Sequence, residues 1–297
     1  MKKNSFVFSV IIPHYNIPEL LVRCLKSIPI REDIQVIVID DCSPGADKYK
    51  EQYPELSRPY LEYYSTPKGG SAGRARNIGL QYAQGKWLLF ADSDDVFAEG
   101  FIEQLSHYTD SIFDIVFFDI ESRDTVTLEL TNDSIKASDI LHKVDFTDKQ
   151  KSEVFRFSHE VPWGKMIRHD LVRKNDIKFD EVLASNDTMF MLKSLFYADE
   201  ITFLDKKLYC WMIRQDSLVH STPKLPVVMA RYEVDLIRNR FCIDNGYRKY
   251  TRSIANWLWI ISHFGILPLI KAILLLFKYR INPFTKCRNW FNTIRQK

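Results

Sequence analysis

The sequence predicts an α/β fold in which helices cover both faces of a mostly parallel central sheet. Over the first hundred residues, short continuous apolar runs alternate with segments of helical periodicity. Strands that helices bury on both faces have this uninterrupted apolar character. Polar clusters follow the apolar runs, and ligands of such sheets bind at the carboxyl ends of the strands.

The first strand is predicted at residues 6–12, and a helix is predicted to follow it. Asn16 and Glu19 stand three positions apart, which is the spacing of a helix cap, so Asn16 is predicted to cap this helix. Five apolar side chains then recur with helical spacing: Leu20, Leu21, Cys24, Leu25 and Ile28.

Three more strands are predicted at residues 34–39, 61–64 and 87–90, each from a short apolar run. A helix over about 72–83 precedes the last strand, and a loop of small residues at 68–73 precedes that helix. The alternation of strand and helix predicts parallel pairing of these four strands.

The composition is that of a folded protein with room for about two domains. The 297 residues are 46% hydrophobic and 27% charged, which excludes a disordered chain. The five cysteines are scattered and form no CxxC pair, so no disulfide framework or zinc knuckle is expected. The first apolar run is broken by Ser9 and Pro13 and has no cleavage site behind it, which favours a cytoplasmic protein.

The net charge of +3 conceals a basic C-terminal segment. Residues 245–297 contain ten Lys or Arg and no Asp or Glu, whereas residues 1–244 carry 31 basic and 38 acidic side chains. Three arrangements stay open for its long apolar run: a membrane span, a helical pair buried against the body, and a monotopic attachment. We favour the last, with apolar faces in the inner leaflet and cations at anionic head groups. The apolar run argues against a nucleic-acid partner.

Two acidic clusters follow predicted strands. Asp40 and Asp41 come after the second strand, and the sequence Asp-Ser-Asp-Asp at 92–95 comes after the fourth. A single Asp there often only caps a turn. Carboxylates packed together repel one another, however, and need a cation or a donor-rich ligand. Asp92, Ser93 and Asp94 offer oxygen ligands suited to Mg²⁺ or Mn²⁺, with positions left for phosphate oxygens.

The stretch between the clusters is basic and rich in glycine, and Lys68, Arg74 and Arg76 are its candidates to face phosphates. No GxGxxG follows the first strand, and no GxxxxGK[ST] occurs in the chain. Dinucleotide and P-loop sites are therefore not expected. The pattern predicts a nucleotide site built from carboxylates and a metal.

Four segments together resemble the family 2 glycosyltransferases: residues 10–16 (VIIPHYN), 38–43 (VIDDCS), 73–79 (GRARNIG) and 90–95 (FADSDD). They occur in the family's order and at its spacing. The resemblance implies the GT-A fold and the transfer of one sugar, with inversion, from a nucleotide diphosphate donor, usually a UDP-sugar. We divide the chain into a donor-binding half at 1–110, an acceptor-binding half at 111–222 and a helical tail at 223–297.

Matched position by position, the resemblance places Pro13 and Tyr15 in the base pocket. Asp41 would meet the uracil edge, with Asp40 as its close alternate. Arg76 falls within the family's donor-side segment, and Lys68 is a donor-binding candidate from its place in the basic, glycine-rich stretch.

Asp92 and Asp94 match the family's DxD motif, and Ser93 lies between them. Asp94 is the stronger candidate for direct contact with Mn²⁺ or Mg²⁺, and Asp92 would also lie near the ribose. A divalent cation would stabilise the charge that develops on the diphosphate leaving group.

An inverting transfer needs a base for the acceptor hydroxyl. Residues 177–181 and 186–190 resemble the stretch that ends in the family's Glu-Asp pair, whose second member, the usual base, corresponds to Asp187. Asn186 stands where Glu is commonest, and the loss of that like charge should make Asp187 easier to ionise. The plainer alternative is that Asp187 only caps the helix that follows.

Trp163 lies in a segment similar to the family's Trp-x-Lys, and Arg214 and Ser217 lie in one similar to its closing Arg-x-x-Ser. The resemblance implies that these residues contact the donor. The acceptor is expected to be a glycan or lipid-linked saccharide in surface polysaccharide or lipooligosaccharide synthesis, at the inner face of the cytoplasmic membrane.

Two other functions stay open. A metal-dependent nucleotidyltransferase also uses paired carboxylates, but a basic glycine-rich loop would follow its first strand, where this chain has His14, Tyr15 and Asn16. A non-catalytic nucleotide-sugar-binding scaffold subunit is suggested by Asn186.

Overall fold

In the computed structural model, which describes residues 6–214 and 224–282, the centre of the fold is one eight-stranded sheet. The strands are, in chain order, β1 Phe8–His14, β2 Ile34–Asp40, β3 Leu61–Ser65, β4 Trp87–Phe90, β5 Val96–Phe97, β6 Ile115–Asp124, β7 Lys165–Arg168 and β8 Ile201–Ile213. Their order across the sheet is β3-β2-β1-β4-β7-β6-β8-β5.

Parallel pairing dominates the sheet, as predicted. The neighbours β3-β2, β2-β1, β1-β4 and β6-β8 are parallel, whereas β7 runs antiparallel to β4 and β6, and β5 to β8. The four predicted strands are confirmed to within two residues at each end. The sheet continues across residue 110, and the division of the chain at 110 and 222 stays a prediction.

The helices of the described residues lie between and after the strands. They are α1 Pro18–Lys26, α2 Tyr49–Gln52, α3 Ala72–Tyr82, α4 Phe101–Ser106, α5 Ile135–Lys143, α6 Glu153–Arg156, α7 His169–Lys174, α8 Thr188–Tyr197, α9 Leu225–Asp244, α10 Ala255–Ser262 and α11 Ile266–Tyr279. Short 3-10 helices occupy residues 46–48, 54–57 and 248–250.

Apolar side chains of the sheet pack on both faces, which explains why the strand sequences do not alternate. Val10 and Ile12 of β1 belong to a core cluster with α1 and α4, whereas Ile11 of the same strand belongs to a second cluster with α3, α7 and α8. This arrangement leaves the strand ends as the place where polar side chains collect.

The predicted helix cap at Asn16 is wrong. Helix α1 begins at Pro18, its cap residue is Ile17, and no side chain bonds the helix end. Asn16 instead adopts a left-handed conformation with φ 52°, and its backbone N–H donates to Ser43 Oγ. A contact with the loop after β2 has therefore replaced the local cap.

The C-terminal helices α9 to α11 form a separate cluster that docks on the body. Cys242 of α9 packs against Met189 and Leu192 of α8. Arg252 forms ion pairs with Glu160 of the body and with Asp235 of α9. The side chains of Arg252 and Glu160 are 34% and 32% exposed, so their ion pair adds little to stability, and the apolar contacts of α9 account for most of the docking.

Residues 254–270 do not form one helix, because Gly265, at φ 105°, separates α10 from α11. Among the described residues, no helix is both long enough and apolar enough to span a bilayer. The tail is nevertheless only partly buried, and Trp259 is 67% exposed.

Candidate active site

The end of β2 is held by a fully bonded carboxylate. Asp40 is completely buried, His14 Nδ1 lies 2.7 Å from its Oδ2, and the backbone N–H of Ser43 donates to its Oδ1 at 2.8 Å. The N–H of Ile17 donates to His14 Nε2, which assigns the Nδ1–H form of the imidazole. Burial opposes ionisation of Asp40, but the bonds from His14 and Ser43 outweigh it and lower its pKa.

Asp41 and Asp40 are the two residues predicted to meet the uracil edge, and of these Asp41 is the one accessible to solvent. It is half-buried, and both of its carboxylate oxygens lie 3.0 Å from the backbone N of Gly70, which ties the glycine-rich loop to the end of β2. Pro13 is buried beneath this edge, whereas the ring of Tyr15 is 59% exposed. Lys68 is exposed in the same loop.

The loop after β4 carries its carboxylates against two arginines that come from distant segments. Arg76 of α3 donates from one Nη to Asp92 Oδ1 at 2.6 Å. Arg214, after β8, has its Nε 2.9 Å from Asp94 Oδ2, as an ion pair outside hydrogen-bond alignment. Ser93 is buried between them.

The fourth residue of the loop, Asp95, anchors β8. Its Oδ2 accepts a hydrogen bond from the Tyr209 hydroxyl at 2.6 Å, and its Oδ1 accepts one from the backbone N–H of Met212 at 2.7 Å. The Tyr209 oxygen in turn accepts the N–H of Asp92. Asp95 therefore has a structural role that sequence reasoning did not assign to it.

The acidic loop keeps part of its negative charge uncompensated. Burial raises the pKa of Asp94, the nearby Asp92 raises it further, and Arg214 only partly opposes both. Burial, together with the carboxylates of Asp92 and Asp94, raises the pKa of Asp95 well above its usual range. Asp94, which is costly to ionise and lies close to Asp92, fits a divalent cation, because Mg²⁺ typically takes one or two protein carboxylates together with phosphate oxygens.

A second group of metal-ligand type occurs elsewhere in the described residues. Ligand atoms of Asp119, His142 and Asp205 lie within 4.8 Å of one another, on β6, α5 and β8. Asp119 is buried and the other two side chains are exposed. This group is separate from the predicted Asp92 and Asp94.

Helix α3 joins the acidic loop to the segment that carries the predicted base. Besides bonding Asp92, Arg76 donates from its other Nη to Asn186 Oδ1 at 2.9 Å. Arg76 is 5% exposed, and its guanidinium carbon lies 5.3 Å from the centre of the Phe179 ring. Asn77, one position on, exchanges two hydrogen bonds with the backbone of Phe179.

Close packing at Gly73 completes this junction. A Cβ on Gly73 would lie 2.1 Å from the carbonyl oxygen of Asp180 and 2.8 Å from Asn186 Cβ. The segment GRARNIG therefore brings the two halves together, a role that its sequence did not reveal. Whether Arg76 also contacts donor phosphates stays a prediction.

Asp187 occupies the cap position of α8 but makes no capping hydrogen bond with its side chain. The plainer alternative, a helix cap alone, is therefore not supported. Burial raises the pKa of Asp187, Arg76 opposes this rise, and Asp92 and Glu160 add to it. Asn186 adds no like charge, as expected, yet burial still makes Asp187 harder to ionise than an exposed Asp.

The Trp-x-Lys segment supports the same region from the sheet. Lys165 is fully buried and donates from Nζ to the carbonyl oxygens of Val161 and Trp163. The Trp163 ring is 8% exposed and stacks on Tyr209, with ring centres 5.5 Å apart. Burial lowers the pKa of Lys165 well below its usual range.

Arg23 of α1 is a residue that sequence reasoning missed. It donates to the carbonyl oxygen of Asp94 at 2.8 Å, and to the carbonyl and hydroxyl oxygens of Thr125 at 3.0 and 2.8 Å. It thereby ties the acidic loop to the end of β6. The available signal was weak: a charged residue directly beside the buried Cys24 in the helical repeat.

The structure thus brings most of the predicted residues to one end of the sheet, around the ends of β1, β2, β4 and β8. The predicted contact Ser217 lies outside the described residues. The ligand roles of the others stay predictions: Pro13, Tyr15, Asp40, Asp41, Lys68, Arg76, Asp92, Ser93, Asp94, Trp163, Asp187 and Arg214.

The arrangement matches a known family. Residues 9–175 match the profile described as Glycosyl transferase family 2. The chain belongs to this family. The predicted family resemblance is therefore confirmed.

Among curated relatives, the chain is 27% identical over 222 residues to poly(ribitol-phosphate) beta-N-acetylglucosaminyltransferase TarS of Staphylococcus aureus (strain MW2). It is 25% identical over 217 residues to the uncharacterized glycosyltransferase EpsJ of Bacillus subtilis (strain 168). These matches cover 70% and 71% of this chain but only 36% and 62% of the relatives.

Among solved structures, the crystal structure of S. aureus TarS residues 1–349 in complex with UDP-GlcNAc is similar, with a TM-score of 0.65 and 22% identity. The match covers 94% of this chain and 75% of that one. The likeness confirms the GT-A fold that the family 2 motifs implied.

Proposed function

We propose that this chain transfers one sugar from a UDP-sugar to a hydroxyl of a glycan or lipid-linked saccharide. The observation that carries the proposal is the double contact of Arg76, which bonds Asp92 of the acidic loop and Asn186 beside Asp187. A donor site and a base thereby share one guanidinium. Relatives named as glycosyltransferases, one of them solved with UDP-GlcNAc, support the same reaction.

In this proposal the donor's base lies against Tyr15 and its edge meets Asp41. Tyr15 is exposed and offers a ring face for stacking, and Asp41 keeps access from solvent. Asp40 has both oxygens bonded inside the protein, so we assign it to holding the turn instead of the donor.

Asp94 and Asp92 would hold Mn²⁺ or Mg²⁺. Such a cation supplies a Lewis acid for the diphosphate leaving group. Arg214 and Arg76 already pair with these two carboxylates, so both arginines stand where they reach the same phosphates. The exposed Lys68 adds a positive charge in the glycine-rich loop.

Asp187 is proposed as the base that takes the acceptor hydroxyl's proton. Its raised pKa strengthens it as a proton acceptor, while Arg76 keeps its ionised form accessible. Attack from the side opposite the diphosphate inverts the anomeric carbon. An α-linked UDP-sugar would then give a β-linked product.

We also propose that the protein works in the cytoplasm, at the inner face of the membrane, through peripheral contacts of its C-terminal segment. The excess of ten cations without a single acid in residues 245–297 supports this. Surface-polysaccharide assembly is proposed because one relative is named as a minor teichoic acid biosynthesis protein and another as a poly(ribitol-phosphate) beta-N-acetylglucosaminyltransferase. No contact among the described residues favours the nucleotidyltransferase or scaffold alternatives.

The donor site is tested by calorimetric titration of UDP and a panel of UDP-sugars that includes UDP-GlcNAc, with Mn²⁺, with Mg²⁺ and with EDTA. Metal-dependent tightening by one of them is expected and would identify the donor. Folded protein that binds none of the panel would contradict the proposal. Poly(ribitol phosphate) is one acceptor to include in transfer assays, because it appears in a relative's name.

The base is tested with Asp187→Asn. UDP-sugar binding should be retained while transfer falls by about 10²–10⁴-fold, because only the proton acceptor is lost. Asp110→Asn, which changes a carboxylate whose side chain is 94% exposed, is the matched control and should leave transfer unchanged. A normal transfer rate in Asp187→Asn would refute the assignment.

A further inference from the structure

Helix α11 exposes an apolar face that no other described residue covers. Side chains on this outer face are between 40% and 76% exposed: Ile266, Leu267, Ile270, Ile273, Leu274 and Phe277. Their spacing of three and four residues places them on one side of the helix. Ala272 and Leu276, on the opposite side, are buried in the cluster with α9.

Such a face requires a partner. Exposed apolar side chains are common singly, but a continuous apolar stripe marks an interaction surface. Trp259 and Phe264, which precede α11, are 67% and 41% exposed and extend the apolar surface. Trp is favoured at the boundary between lipid and water.

The charges beside the outer face favour an anionic lipid surface over a second copy of the chain. Residues 245–282 contain six Lys or Arg and no Asp or Glu. Lys271 and Lys278 are both exposed next to the stripe, and Lys278 forms an ion pair with Glu233 of α9 at 3.0 Å. Self-association through this face would bring the like charges of two copies together, whereas a phosphate head group would pair with Lys271.

The dimensions favour a helix that lies in the membrane plane. At 1.5 Å per residue, the fourteen residues of α11 extend about 21 Å. A span needs about 20 residues. Helices that lie in the interface bury their apolar side about 5–10 Å deep.

A groove adjoins the outer face where α11 meets the start of α9. It has a volume of about 510 Å³ and is lined by Leu225, Pro226, Met229, Leu267, Pro268 and Lys271. This volume falls within the range of about 300–1,000 Å³ typical of ligand pockets. Lys271 is the one charged lining residue, and no described residue forms a hydrogen bond or ion pair with its side chain.

We infer that the outer face of α11 lies in the lipid leaflet and that this groove holds an acyl chain of an anionic phospholipid, whose phosphate pairs with Lys271. The inference rests on the proposed membrane association and names the surface that performs it. The groove begins eleven residues after Arg214, so it lies at most about 40 Å along the chain from the acidic loop. A lipid-held acceptor would thereby be presented near the site.

The surface is tested by sedimentation with phosphatidylcholine vesicles that contain or lack phosphatidylglycerol. The wild-type protein should pellet with the anionic vesicles. Leu274→Glu and Phe277→Glu should each reduce the bound fraction by about tenfold or more, because a buried apolar contact becomes a charge facing anions. Ile112→Glu, at a 75% exposed position on the catalytic body, is the matched control and should bind as wild type.

The groove is tested separately with lysophosphatidylglycerol below its micelle-forming concentration, followed by tryptophan fluorescence. Binding is expected for the wild type, with at least a tenfold loss in Met229→Trp, which fills the groove, and a smaller loss in Lys271→Gln. Glycerol 3-phosphate should not compete, because it lacks the chain. Equal binding by all three proteins would refute the groove.

The outcomes separate the inference from what it rests on. Wild-type protein that stays in the supernatant overturns both the membrane association and this surface. If the wild type pellets and the bound fractions of Leu274→Glu and Phe277→Glu are as large as that of the wild type, only the surface is overturned. Circular dichroism of each variant establishes that it is folded.

Discussion

The carboxylates after β2 and after β4 look alike in sequence but differ in state. Asp40 is fully buried with both oxygens bonded, and its pKa is lowered. Asp94 has a raised pKa, because burial and the neighbouring Asp92 outweigh the cations around it. The difference teaches that an acidic cluster at a strand end suits a cation only where the protein leaves its charge uncompensated.

The largest expected effects come from neutralising one carboxylate after each of these two strands. Asp94→Asn should reduce transfer by about 10²–10³-fold without lowering the melting temperature, because it removes a carboxylate that is costly to ionise. Asp40→Asn should instead destabilise the fold by about 1–3 kcal/mol, because His14 and Ser43 lose an ionised acceptor. Transfer assays and urea denaturation measure the two effects, and a loss of stability in Asp94→Asn would break the comparison.

The sequence predicted the elements of this site better than their connections. Strand positions follow from local apolar runs, and the place of the acidic clusters follows from strand ends. The bonds of Arg76 to Asn186 and of Arg23 to Thr125 join residues about a hundred positions apart, and no local pattern encodes them. Asn16 shows the opposite failure. Its local sequence predicts a helix cap, but in the structure its backbone N–H bonds Ser43 instead.

Arg23 sharpens the comparison, because it holds the acidic loop through a backbone carbonyl and leaves the carboxylates of that loop free to bind a cation. Arg23→Met should weaken Mn²⁺ binding about tenfold, since the carbonyl of Asp94 loses its anchor. Calorimetric titration with Mn²⁺ alone measures this effect. If the positive charge of Arg23 mattered more than its anchoring, the variant would bind Mn²⁺ more tightly instead.

Arg58→Met is the matched control for Arg23→Met. Arg58 is also half-buried, also has a buried Nε without a partner, and also bonds backbone carbonyls, those of Leu25 and Ile28 at the C-terminal end of α1. Both variants should lose comparable stability. Only Arg23→Met should lose affinity for Mn²⁺.

A smaller effect is expected from Gly73→Ala, which pushes the base-bearing segment away from the acidic loop. The new Cβ would overlap the carbonyl oxygen of Asp180, so that segment must shift, at about 1–3 kcal/mol of stability. Transfer should fall further than stability explains. Gly79→Ala is the control, because its Cβ would meet Ile11 in the core, 2.5 Å from Cγ2, and should cost stability alone. Equal transfer by the two folded variants would contradict this role of Gly73.

The smallest expected effect tests whether a carboxylate in the segment before Asp187 also lacks a compensating charge. Burial raises the pKa of Asp180 to about 6, and its Oδ2 is buried without a partner. Because the folded state holds this proton more tightly than the unfolded chain, the stability from Asp180 is complete below about pH 4 and is lost as the pH rises towards 6. Asp180→Asn should therefore match the wild type near pH 4 and melt at a higher temperature at pH 7. Asp176→Asn should show the opposite sign, because Lys178 lowers the pKa of that exposed carboxylate. Parallel melting curves for Asp180→Asn and wild type across this pH range would confine the charge imbalance to the loop after β4.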